Sequence, residues 1–160
     1  MPAALGPAFT PGQAPLSLAH ARRVAGLCAA GILPGDRLQR WDDEVATIVV
    51  HADPAAAEAL ITRHLANLGD PSAARERLLH DTLAAWLDHP GQPQAIARTL
   101  HLHPQTVRYR LARLRERLGH ALDDPQARFE LAIALRYHQA RTPLSGDGRK
   151  LGGVFRARGR

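Results

Sequence analysis

The chain has 160 residues, room for one domain or for a small domain with part of another. Hydrophobic residues make up 45% of it but aromatics only 4%, so any core is built mainly from Leu, Ala, Val and Ile, a composition that favours helices. A net charge of +6 points to an anionic partner such as nucleic acid, the single cysteine, Cys28, excludes an intrachain disulfide, and no run reaches the ~18 apolar residues of a membrane span.

Residues 1–16 are rich in Pro, Ala and Gly, lack the basic start and long apolar run of a secretory signal, and read as a flexible N-terminus. A helix is expected over 17–30, closed by Gly31, with Cys28 a small buried hydrophobe in its Ala-rich run. Residues 45–50 are β-branched and strand-like, although a run so short does not separate a strand from a buried helix. Three Asp-Pro pairs then mark helix beginnings, because Asp caps free N–H groups while Pro has none to lose at the first helical position. Asp53-Pro54 predicts a helix over 54–68 stopped by Gly69, Asp70-Pro71 one over 71–87 ending before Pro90-Gly91, and Asp124-Pro125 one over 125–140. Residues 141–160 are rich in Gly and Arg with little to pack, and are expected to form a disordered basic tail.

The segment from Pro93 to about Leu118 meets the demands of a helix, a tight turn and a second helix. Ala97 is small where two helices cross closely, and Ile96, Leu100, Leu102, Val107 and Leu111 form a shared core. His101 falls where the turn needs a left-handed residue, and Pro93 and Pro104 each suit a first helical position. On the second helix Val107, Leu111, Leu114 and Leu118 recur on one stripe that must face inward. The opposite face carries Gln105, Tyr109, Ala112, Arg113 and Glu116, flanked by Thr106, Arg108, Arg110 and Arg117. Amide, hydroxyl and guanidinium groups near the start of such a helix can read base edges, while flanking arginines reach phosphates. The candidate DNA-binding residues are therefore His103, Gln105, Thr106, Arg108, Tyr109, Arg110 and Arg113, with double-stranded DNA as the partner.

These residues also resemble a family. The stretches "TLAAWLDH", "AIARTLHLHPQTVRYRLARLRERLG" and "LDDPQARFELAIAL" are similar to the C-terminal helix-turn-helix domain of PucR/CdaR-type bacterial transcriptional regulators. Upstream, "PGDRLQRWDDEVATIVVHADPAAAEALITRHLANL" resembles the end of the degenerate GGDEF-like domain that precedes it in those proteins. The resemblance implies a sequence-specific DNA-binding module, and it makes residues 45–50 a short helix against their β propensity. Gln105 stands where the family commonly has Asn, and 160 residues leave no room for the sensory region that names an effector. The expected fold is mainly α: a helix-turn-helix domain, of winged-helix-like or Fis-like helical bundle type, over 71–140, preceded over 17–70 by a small, partial GGDEF-like segment, helical or α/β.

Other chemistries have weaker support. The pair His101 and His103 has no Cys, Asp or Glu nearby in sequence to complete a metal site, and Asp42, Asp43 and Glu44 have no nucleophile or phosphate loop beside them. No catalytic residue, metal or cofactor is assigned, and a cytoplasmic, non-membrane protein is expected. The competing reading is a helical protein-interaction or dimerisation adaptor. The helix from Pro125 carries Phe129, Ile133 and Tyr137 on one side and Leu131, Ala134 and Leu135 on another, more apolar surface than one core uses. A homodimer would also suit the DNA reading, since two helix-turn-helices bind paired half-sites.

Overall fold

The computed structural model describes residues 3–141; the tail expected to be disordered lies outside them apart from Arg141. The fold is mainly α. In chain order it comprises β1 (Ala4–Leu5), α1 (Ala14–Ala29), β2 (Gln39–Arg40), α2 (Val45–Val50) and α3 (Pro54–His64), then α4 (Ala74–Asp88), α5 (Pro93–Leu100), α6 (Pro104–Leu118) and α7 (Pro125–Arg141). Single 3-10 turns at Pro11–Gln13, Trp41–Asp43, Ala66–Leu68 and Gly119–Leu122 join several of these. The described residues divide into two compact units, 3–62 with 136–141, and 63–135. None of their helices is long and apolar enough to cross a membrane.

In the first unit, within the segment expected to be flexible, β1 pairs in parallel with β2, Ala4 opposite Gln39 and Leu5 opposite Arg40. Gly6 follows because a Cβ there would collide with the Ser17 carbonyl, and the Ser17 hydroxyl donates to the Pro7 carbonyl at 2.8 Å. α1 therefore starts at Ala14, led in by the 3-10 turn, rather than at Ser17. Val24, Cys28, Leu33 and Ile48 form the core, with Ala4, Leu27 and Trp41 packed against it. The 45–50 run is the helix α2, which corrects its strand-like local reading and agrees with the family resemblance. Only Ile48 of this helix is buried, while Val49 is 67% exposed, so one anchor in the core and the local bonds of Glu44 outweigh β propensity. Glu44 accepts from the Thr47 hydroxyl at 3.1 Å, and its carbonyl accepts from the Ile48 N–H at 2.9 Å.

Two of the three Asp-Pro pairs start helices as expected. The Asp53 carboxylate accepts from the Ala56 N–H at 3.0 Å, and Asp124 accepts from the N–H groups of Gln126 and Ala127 at 3.1 and 3.2 Å. The third does not. Asp70 accepts from the N–H and hydroxyl of Ser72 at 2.8 and 2.6 Å, closing an Asx turn, and extended Ala73 separates that turn from α4, which begins at Ala74. α3 likewise ends at His64, and the expected stretch to Leu68 tightens into a 3-10 turn before Gly69, whose φ is 81°.

Candidate nucleic-acid interface

The second unit is organised on α4. α5 and α6 pack against α4 and against each other, and α6 also meets the turns at Ala66–Leu68 and Gly119–Leu122. Leu79, Leu83 and Trp86 of α4, Ile96 and Ala97 of α5, and Val107, Leu111 and Leu114 of α6 are buried. The expected inward stripe of α6 is thus present, although Leu118, Leu100 and Leu102 are only half-buried. Thr82 is tolerated in this apolar layer because its hydroxyl donates to the Leu78 carbonyl at 2.6 Å.

The turn has the form expected. His101 is left-handed, with φ 52° and ψ 44°, and is the non-glycine residue with positive φ among those described. The His101 N–H donates to the Arg98 carbonyl at 3.3 Å and the Leu102 N–H to the Ala97 carbonyl at 2.9 Å. This pair of bonds is a Schellman closure, which satisfies the free carbonyls at the end of α5. His103 then caps α6: the Gln105 N–H donates to its Nδ1 at 3.2 Å, and Pro104 occupies the first turn.

α6 itself carries five arginines, Arg108, Arg110, Arg113, Arg115 and Arg117, against one acid, Glu116. Gln105, Arg108, Tyr109 and Ala112 are exposed, Tyr109 at 62%. Of the candidate residues, His103 is exposed at the cap, while Thr106, Arg110 and Arg113 are half-buried at the flanks. The Arg113 guanidinium lies 3.3 Å from the Glu116 carboxylate. Arg110 acts on Asp81 of α4: burial raises the Asp81 pKa, and the charges of Arg77, His80 and Arg110 pull it back. Arg117 does not belong to the outer flank, because its guanidinium donates to the carbonyls of Asn67 and Leu68 at 3.3 and 3.0 Å and closes the end of that 3-10 turn. Arg115 was missed by the sequence reading. It is exposed and follows Gln105, Arg108 and Ala112 at three- and four-residue steps, so the helical period alone was enough to place it on their stripe. Arg98, not among the candidates, is likewise exposed, in the last turn of α5.

Residues 79–137, from the first turns of α4 to α7, match the PucR C-terminal helix-turn-helix domain. A protein of Thermomonospora curvata described as "Uncharacterized protein in pkwA 5'region" is 32% identical over 151 residues, an alignment covering 78% of this chain and 84% of that protein. The chain carries a helix-turn-helix domain of the PucR family over residues 79–137. The PucR match holds the buried stripe, the Schellman turn and the outer face of α6 within one segment. The carbohydrate diacid regulator of Escherichia coli is 41% identical over 64 residues, 40% of this chain and 17% of the regulator. The purine catabolism regulatory protein of Bacillus subtilis is 38% identical over 72 residues, 45% of this chain and 13% of that protein. The chain therefore spans less than a fifth of either regulator. No solved structure matches it.

Proposed function

We propose that this chain binds double-stranded DNA sequence-specifically, with α6 in the major groove, and acts as a transcriptional regulator of the PucR/CdaR type. The observation that carries this reading is the outer face of α6. Uncharged Gln105 and Tyr109 stand exposed near the helix start, Ala112 lets the helix approach closely, and Arg108 and Arg115 flank them, all opposite a buried stripe. Part of this chain is 41% and 38% identical to two proteins named as regulators, which supports a regulatory use. In this reading residues 71–140 are the DNA-binding domain, 17–70 the partial GGDEF-like segment, and the protein works in the cytoplasm without catalytic activity of its own.

Selection of bound duplexes from a random pool, followed by gel shifts on the selected and a scrambled duplex at one salt concentration, tests the proposal. Specific sites typically exceed non-specific DNA by about 10³-fold or more in affinity, and a preference of that order is expected. Equal affinity for both duplexes would overturn sequence-specific binding.

A homodimer belongs to the same proposal. On α7, Phe129 is 61% exposed and Ile133 half-buried, leaving an apolar side for a second copy, whereas Tyr137, expected on that side, is buried. Sedimentation at micromolar concentration is expected to show a dimer that Phe129→Glu dissociates. A tight dimer without duplex binding would favour the adaptor reading instead.

A further inference from the structure

The unit formed by residues 3–62 and 136–141 contains a cleft of about 360 Å³ lined by none of the candidate DNA-binding residues. Leu27, Ile32, Pro54 and Tyr137 line it with mainly apolar surface, and His51 and Arg141 add the polar groups. Small-ligand clefts of roughly 300–1,000 Å³ share that balance of apolar wall and few polar groups.

His51 sets the chemistry. Its Nδ1 lies 2.8 Å from the Thr47 carbonyl oxygen, and its ring stands 5.0 Å from the Tyr137 ring at a 34° tilt. A carbonyl only accepts, so Nδ1 donates to it, and the tautomer whose single ring proton sits there offers a lone pair at Nε2. That Nε2 is buried and has no hydrogen-bond partner among the described residues. A buried acceptor facing no donor is costly, and native proteins rarely keep one without a use. The Arg141 guanidinium lies 5.4 Å from the centre of the Tyr137 ring and pairs with Glu58. Its planar fork has five N–H donors, so the pairing with Glu58 leaves others for a second acceptor.

We propose that this cleft binds a small phenolic carboxylate. The aromatic ring lies against the apolar walls, the hydroxyl donates to Nε2 of His51, and the carboxylate accepts from Arg141. The proposal is independent of DNA binding. Titration of the full chain with 4-hydroxybenzoate, followed by calorimetry and by NMR of labelled histidine, is expected to give saturable binding that shifts the His51 ring signals. 4-Methoxybenzoate keeps the carboxylate but has no donor, and is expected to bind about tenfold more weakly, the scale of one lost hydrogen bond. His51→Phe keeps an aromatic ring beside Tyr137 and removes Nε2, so it is expected to abolish the difference between the two probes. Ala30→Met, on the exposed rim of the cleft, is expected to weaken both while leaving the thermal midpoint unchanged. Equal binding of the two probes to the unaltered chain, or no saturable shift with millimolar 4-hydroxybenzoate, would overturn the proposal, and neither result depends on a variant folding.

Discussion

The arginines of α6 are chemically identical and differ only in what they touch. Arg117 donates to two backbone carbonyls, so Arg117→Ala is expected to lower stability by roughly 1–3 kcal/mol in chemical denaturation and to leave the salt dependence of DNA binding almost unchanged. Arg108 and Arg115 are exposed and have no such duty, so neutralising either is expected to reduce the log–log salt slope of binding by about 0.9 with little change in stability. The opposite pattern would mean that α6 docks on a different face. Gln105 and Tyr109 carry no charge and add nothing to counterion release. Gln105→Ala is therefore expected to relax preference at one base position, by about 1–3 kcal/mol of discrimination, while affinity for scrambled duplex stays constant. Tyr109→Ala is expected to weaken specific binding further because it also removes contact area; parallel losses on both duplexes would exclude base reading by either residue.

At the scale of elements, α6 keeps its orientation through its buried stripe and its turn. Leu114 is fully buried, so Leu114→Ala is expected to cost roughly 2–5 kcal/mol, measured as a shift of the urea midpoint. His101 is exposed and left-handed, a conformation that a residue with a Cβ adopts at some cost. His101→Gly is expected to raise stability by up to about 1 kcal/mol with no loss of DNA binding, whereas a loss on either measure would give the imidazole a contact of its own. The Asp-Pro pairs show how local chemistry can be outvoted at this scale. Asp53 and Asp124 cap helices, but Asp70 turns its carboxylate to Ser72, and the chain passes Gly69 with φ 81° and an extended Ala73 before α4 begins. All three share the same dipeptide. What differs is the neighbour that the Asp finds.

For the whole molecule, two carboxyls set opposite dependences on pH. Glu130 accepts from the Gln126 amide at 3.0 Å, the His64 ring at 2.6 Å and the Arg63 guanidinium at 3.3 Å, and these bonds lower its pKa from 4.5 to about 2. A folded-state pKa below the unfolded value means that the charged form stabilises the fold. That contribution is complete above about 4.5 and is lost as pH falls towards 2. Asp81 has the reverse sign: burial raises its pKa, so protonation on acidification relieves a cost. Glu130→Gln is accordingly expected to flatten the decline of the denaturation midpoint between about pH 4.5 and 2, with the two proteins converging at the acid end. An unchanged decline would assign acid unfolding to other groups.

How much of this was legible in the sequence follows the range of the forces involved. The helix-turn-helix depends on contacts three to five residues apart, so the stripe of Val107, Leu111 and Leu114, the left-handed His101 and the proline starts of α5 and α6 could all be read from spacing. The outward position of Gln105, Arg108 and Tyr109 followed from the same period. Composition and charge likewise pointed to a helical fold with an anionic partner. Only the tertiary structure decided the rest. β1 finds β2 across the whole of α1, Arg117 turns from the outer flank to the carbonyls of Asn67 and Leu68, and Val45–Val50 coils because Ile48 enters a core supplied by other elements. His51 and Arg141 meet around Tyr137 from distant parts of the chain. Such partners are brought together by burial of apolar surface, which has no direction along the chain and leaves no period in it to read.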